Sequence, residues 1–178
     1  MHRHIKRILF PAKTIRKRVK TLGEEISRDY KGREPILIGV ANGALVFLAD
    51  LMRTLSYPAK IDLIRVRSYG QKASTSGLIA ISKDIEIDIA GKDAIIVEDI
   101  IDTGLTIDFI IRHLEKNNPA SIGVCALLDK SAARKINIKI NYAGFPVINE
   151  FVVGYGLDYA ENYRHLPYIG VLKPEIYS

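Results

Sequence analysis

Apolar residues along this chain fall into two alternating patterns. Short unbroken runs, "PILIGV" (35–40), "DAIIVED" (93–99) and "SIGVCALLD" (121–129), have the length and β-branched content of strands buried on both faces, and "KIDLIRVRSY" (60–69) reads as a further strand. Between them lie amphipathic stretches, "GALVFLADLMRTL" and "TIDFIIRHLEKNN", whose spacing predicts helices; Asn117-Asn118-Pro119 stops the second. Near the start, Ile15, Val19, Leu22 and Ile26 step by four, three and four, one apolar stripe of a helix. Strands alternating with helices imply βαβ units, and so an α/β fold with a doubly wound, mostly parallel sheet flanked by helices.

After Lys130 the rhythm changes to shorter strands and turns rich in Gly and Tyr, "NYAGFPVINEFVVGYGLDYAENY". That tail, from roughly residue 130 onward together with the N-terminal segment, is expected to form a small hood on the main sheet rather than a second domain, so residues 1–178 read as one domain. The segment "GQKASTSG" (70–77), small, polar and bracketed by glycine, is expected to be a mobile loop.

Composition narrows the class. At 178 residues, 48% hydrophobic and 26% charged, the chain suits one soluble globular domain. One cysteine, Cys125, excludes a disulfide within the chain and fits a reducing, cytoplasmic setting. The longest apolar segment is broken by Asn42, two glycines and Asp50, so no membrane span is expected. The net charge of +6 is concentrated before Glu24, in Arg3, Lys6, Arg7, Lys13, Arg16, Lys17, Arg18 and Lys20. A solvated helix face is the favoured reading of these cations, with a polyanionic ligand or RNA as the alternative.

The chemistry concentrates in "VEDIIDTGLT" (97–106), where three carboxylates, Glu98, Asp99 and Asp102, stand directly before Thr103-Gly104-Leu105-Thr106. In a doubly wound sheet, ligands bind beyond the carboxyl ends of the strands. Small residues opening a helix, here expected to begin near Ile107, present free N–H groups to a phosphate. Carboxylates repel phosphate but accept hydrogen bonds from sugar hydroxyls, so a ribose 5-phosphate satisfies both halves of the motif. The Asp-Thr-Gly of aspartic proteases lies among strands, and the aspartate-rich motif of terpene synthases belongs to all-helical proteins. Neither GxGxxG nor a Walker A pattern is present.

"VEDIIDTGLT" resembles the phosphoribosyl pyrophosphate motif of purine phosphoribosyltransferases. With "RSYG", "LLDK" and "FVVGYGLDYAENYR" in the same order, nearly the whole chain resembles the hypoxanthine-guanine phosphoribosyltransferase family, of the type I phosphoribosyltransferase fold. The resemblance implies a purine salvage enzyme in which N9 of a 6-oxopurine displaces pyrophosphate from phosphoribosyl pyrophosphate, giving IMP or GMP. It implies Mg2+ on the diphosphate, with Glu98, Asp99 and Asp158 as candidate metal residues, and a homodimer or homotetramer without membrane or nucleic-acid partners. Glu98 and Asp99 match the ribose-diol ligands, Asp102 the general base, and Thr103, Gly104, Leu105 and Thr106 the 5-phosphate loop. Lys130 matches the donor to purine O6, Phe151 the ring-stacking residue, and Val152 and Asp158 further purine contacts. Arg164 matches a pyrophosphate ligand, and Ser68 and Tyr69 the start of a closing loop.

One position departs from the pattern. Where the family usually carries Leu-Lys-Gly in its first pyrophosphate loop, this chain reads "GVANGALVF", so Asn42 replaces the lysine, with Gly43 expected to keep the backbone freedom of that loop. Two other readings compete: a phosphoribosyl-pyrophosphate-responsive RNA- or DNA-binding regulator on the same fold, encouraged by the basic start, and a xanthine-preferring sister transferase.

Overall fold

The computed structural model describes residues 2–69, 78–148 and 150–177. Its centre is a six-stranded sheet, assembled from β2 (Ile36–Val40), β3 (Ile61–Tyr69), β4 (Leu78–Lys83), β5 (Asp93–Ile101), β6 (Ser121–Asp129) and β7 (Tyr142–Pro146). The order across the sheet is β4-β3-β2-β5-β6-β7, and every neighbouring pair is parallel except β3 with β4. β2 and β5 are buried almost along their whole length, as expected of strands covered on both faces.

Helices supply the two covers. α1 (Ala12–Asp29) buries Ile15, Val19, Leu22 and Ile26, the stripe the spacing predicts, and α2 (Leu45–Met52) buries Phe47, Leu48 and Leu51. Both pack on one side of the sheet with Leu37, Ile95, Val97 and Cys125. On the other side α3 (Leu105–Glu115) presses Ile107, Ile110 and Leu114 against Ile38, Ile96 and Val124. α3 starts at Leu105, two residues before the expected Ile107, because Gly104 at φ 86° turns the chain directly into the first helical residue.

The hood is a three-stranded antiparallel sheet, β1 (Ile5–Phe10), β9 (Ile169–Leu172) and β8 (Val152–Val153), in the order β1-β9-β8. Its Val152 and Val171, with Tyr155 and Leu157, join the same apolar cluster as α1 and α2, which fixes the hood over that end of the sheet. Residues 142–146 depart from the expected boundary near 130: they form β7, pairing in parallel with β6 as the edge of the main sheet.

Strand order decides where a ligand can lie. The connection after β2 leads to β3 on one side, whereas β5 pairs β2 on the other, so the direction of winding reverses between β2 and β5. The loops leaving the carboxyl ends of these two strands diverge and open a crevice. They are residues 41–44 and 102–104.

Candidate active site

Both walls of that crevice carry predicted residues. On the β2 side, a cis peptide joins Ala41 to Asn42, and the Asn42 carbonyl accepts from the Leu45 N–H at 3.2 Å as α2 begins. On the β5 side, Glu98 and Asp99 are buried at 8% and 7% exposure, and the Glu98 Oε2 has no hydrogen-bond partner. Burial raises both carboxyls, Glu98 well above the ordinary carboxylate range with a further push from the neighbouring Asp99 charge, and Asp99 less, because the hydrogen bond to Glu98, backbone N–H donors and then the Arg164 guanidinium favour its charged form. Two buried acids side by side are poised for hydroxyl donors or a cation.

Gly43 joins the two walls, by a contact the sequence did not signal. Its φ is not in the left-handed region, and what the structure shows directly is a steric role. A Cβ built there would stand 1.9 Å from Asp99 Oδ2 and 2.7 Å from its Cγ. The missing side chain lets the carboxylate lie against the loop backbone.

Below the turn, a cavity of about 100 Å3 is walled by Glu98, Asp102, Thr103, Gly104 and Thr106. Its size suits a phosphate group, and the open N-terminus of α3 faces it with the donors an anion needs. Leu105 contributes backbone; its side chain is exposed. Beyond the turn, Lys130 Nζ lies 3.7 Å from Asp102 Oδ2, with the lysine side chain largely covered and the aspartate half exposed. An acceptor and a donor are thus offered side by side at the ends of neighbouring strands.

Arg164 and Asp158 form an ion pair at 2.9 Å on the loop between β8 and β9, and Arg164 also donates to the Gly156 carbonyl. Val152 is buried in β8, opposite Val171. Phe151, at 38% exposure, precedes β8 with its ring free enough to receive a flat ligand. Ser68 and Tyr69 end β3, their backbones paired with Ile79 and Leu78. The expected mobile loop, 70–77, lies outside the described residues.

Two participants escaped the sequence reading. Arg134 donates to the Asp102 carbonyl at 3.0 Å and to the Ile101 carbonyl at 3.3 Å while pairing with Asp129. The Lys135 and Ile136 N–H groups close on the Thr103 carbonyl, so residues 134–136 clamp the acidic turn from behind. Arg134 in "KSAARK" carries no local signal beyond its nearness to Lys130. Tyr177 stacks on Phe151, centroids 4.9 Å apart at 24°, and Tyr159 meets the same ring edge-on at 5.5 Å.

An α/β sheet with a phosphate-sized cavity and two buried acids at its winding reversal has the architecture of a nucleotide- or sugar-phosphate-binding α/β protein. A family model described as a phosphoribosyl transferase domain matches residues 8–160, and the chain belongs to that family. The hypoxanthine-guanine phosphoribosyltransferase of Bacillus subtilis (strain 168) is 45% identical over 178 residues, covering 100% of this chain and 99% of that protein. The bifunctional protein TilS/HprT of Listeria monocytogenes is 43% identical; the match covers all of this chain and 28% of that protein, so the chain spans little more than a quarter of its length. A crystal structure of a hypoxanthine phosphoribosyltransferase from Staphylococcus aureus superposes with a TM-score of 0.95 at 40% identity, over 100% of this chain and 97% of that one.

Proposed function

We propose that this chain is a purine salvage enzyme that moves the 5-phosphoribosyl group of phosphoribosyl pyrophosphate onto N9 of hypoxanthine or guanine. The N9–C1 bond forms as the bond from C1 to pyrophosphate breaks, and pyrophosphate leaves with the electron pair. The observation that carries this reading is the Asp102–Lys130 pair, 3.7 Å apart beside the phosphate cradle. A 6-oxopurine presents N7 and O6 on one edge. Lys130, a donor without an acceptor, suits O6; Asp102 suits the proton at N7 and takes or shares it as positive charge grows on the base and sugar.

The remaining residues divide the other substrate. Thr103, Gly104, Leu105 and Thr106 hold the 5-phosphate with backbone and hydroxyl donors. Glu98 and Asp99 offer carboxyl oxygens to the ribose hydroxyls beside the oxocarbenium-like sugar. Asn42, Gly43 and Arg164 face the pyrophosphate; Asn42 brings an amide where the family usually has a lysine charge. Phe151 stacks on the purine, supported from its far face by Tyr177, and the backbone near Val152 and Asp158 meets the purine's 2-position. Ser68 and Tyr69 begin a segment that would close over the reacting atoms and exclude water.

Mg2+ would neutralise the departing diphosphate. Among the described residues no group of three or more His, Cys, Asp or Glu side chains is arranged to hold a metal. The two adjacent carboxyls Glu98 and Asp99 are donors of the kind Mg2+ takes, since it binds through one or two carboxylates together with substrate phosphates and water. Glu98, Asp99 and Asp158 are the residues that would meet it, and the unpartnered Glu98 Oε2 leaves an oxygen free for it. We further place the chain as one domain, 1–178, acting in the cytoplasm as a homodimer or homotetramer; no described helix is long and apolar enough to cross a membrane.

Pyrophosphate release measured with each of four purines at saturating phosphoribosyl pyrophosphate tests the reading. Hypoxanthine and guanine should turn over. Adenine sets a 6-amino donor against Lys130 and should be rejected by about 10⁴-fold, since a site built around one hydrogen bond discriminates strongly against its mismatch. Xanthine sets a 2-oxo acceptor against backbone carbonyls and should be slower than guanine. A preference for adenine would overturn the role given to Lys130.

A further inference from the structure

One cavity lies apart from the proposed active site. It opens between α1 and α2, has a volume of about 630 Å3, and is lined by Lys13, Arg16, Lys17, Lys20 and Arg53 with a single carboxylate, Asp50. We propose that this cavity is a binding site for compact polyphosphate anions, small molecules carrying two or more linked phosphate groups.

Charge is the first argument. Asp50 is paired with Arg53 and accepts the Tyr155 hydroxyl at 2.6 Å, so those two charges offset each other and the uncompensated charge of the lining is that of the four cations on α1, Lys13, Arg16, Lys17 and Lys20. Lys20 meets Glu24 at 3.8 Å with both side chains well exposed, a contact worth little in water. Lys13, Arg16 and Lys17 form no ion pair with any described residue.

Spacing is the second. Lys13 with Lys17 and Arg16 with Lys20 are four apart, and Lys13 with Arg16 and Lys17 with Lys20 are three apart, so the pairs these four lining cations make with one another are all of like charge, with Glu24 the acid that follows Lys20. Such pairs destabilise a helix. The fold itself does not need them, since the buried stripe of α1 is the adjacent one carrying Ile15, Val19, Leu22 and Ile26. An anion bridging them converts the repulsion into charge-assisted hydrogen bonds.

Shape names the ligand class. From Lys13 to Lys20 the stripe runs about 10 Å at 1.5 Å per residue, and Arg53, the residue that caps the end of α2, also lines the cavity. That is the reach of a di- or triphosphate held in a concavity. Nucleic acid would call for a longer track of cations and, for single strands, aromatic platforms; no aromatic ring lines this cavity. None of the six charged residues has a part in the proposed transfer reaction.

The test is calorimetric titration of the full chain with magnesium-free inorganic tripolyphosphate, comparing the wild type with the Lys13→Gln/Lys17→Gln/Lys20→Gln variant. The wild type should bind tripolyphosphate at this site, and the variant should lose that binding by at least about tenfold while its KM for phosphoribosyl pyrophosphate and its turnover stay unchanged. Its melting temperature should hold or rise, because like-charge repulsion has been removed. Should the triple variant fold poorly, Lys17→Gln/Lys20→Gln carries the same comparison. Equal tripolyphosphate affinity in wild type and variant would overturn the proposal. So would orthophosphate binding as tightly as tripolyphosphate, or a single-stranded RNA oligomer binding more tightly than either with the same loss in the variant.

Discussion

Replacing Gly43 by alanine perturbs the site by one methyl group, and the structure gives the size of the effect. The new Cβ would stand 1.9 Å from Asp99 Oδ2 and 2.7 Å from Cγ, against ordinary contacts of about 3.5 Å. Relief requires the carboxylate or the loop to move by about 1–1.5 Å. Asp99 is poorly placed to yield: it is buried at the end of β5, and its Oδ1 accepts from the Ile100 N–H at 2.7 Å. Overpacking of this kind costs about 1–3 kcal/mol of stability. A displacement near 1 Å at a reacting centre costs about 10²-fold in rate. Gly43→Ala should therefore lower kcat/KM for phosphoribosyl pyrophosphate by about 10²-fold, read by pyrophosphate release with the melting temperature measured alongside. The cause is isolated by a double-mutant cycle with Asp99→Ala: once the carboxylate is gone, the added methyl has nothing to strike, and Gly43→Ala should cost little more. Near-wild-type kcat/KM in Gly43→Ala, or undiminished loss in the Asp99→Ala background, would refute the reasoning.

Asp102→Asn should reduce turnover by about 10²–10⁴-fold while sparing the KM for the sugar substrate, because an amide cannot take the N7 proton; unchanged turnover would remove Asp102 from the mechanism. Glu98 is held above its ordinary pKa by burial and by the Asp99 charge, so the folded protein binds more protons than the unfolded one between the two pKa values, and stability falls as pH rises through that window. Glu98→Gln should flatten that fall and gain melting temperature relative to wild type as pH is raised from about 4 toward neutrality, while losing activity; parallel melting curves across that range would count against the buried charge. Arg134→Lys should lower both melting temperature and turnover, since an ammonium cannot span Asp129 and the Ile101 and Asp102 carbonyls as the guanidinium fork does. Wild-type kinetics in Arg134→Lys would show that the clamp does not position the turn.

The sequence by itself determined the layers and the place of the chemistry. β2, β5 and β6 are legible because a strand covered on both faces must be apolar throughout, and α1 because its buried stripe repeats with the helical turn. "VEDIIDTGLT" is legible because strand, acids, glycine and helix start are contiguous, so one local segment carries the signal of the site. Neighbours distant in sequence were decided by the tertiary structure alone. That β1 pairs with β9 across more than 150 residues, and that β7 extends the main sheet instead of the hood, depends on which edge each strand meets once the helices have packed. The contact of Gly43 with Asp99, the Arg134 clamp and the Tyr177–Phe151 stack join residues more than 25 positions apart. Periodicity reports which face of an element is buried, because burial is a property of each residue in its own helix or strand. It is silent about what that face touches, because the partner is chosen by the packing of the whole chain.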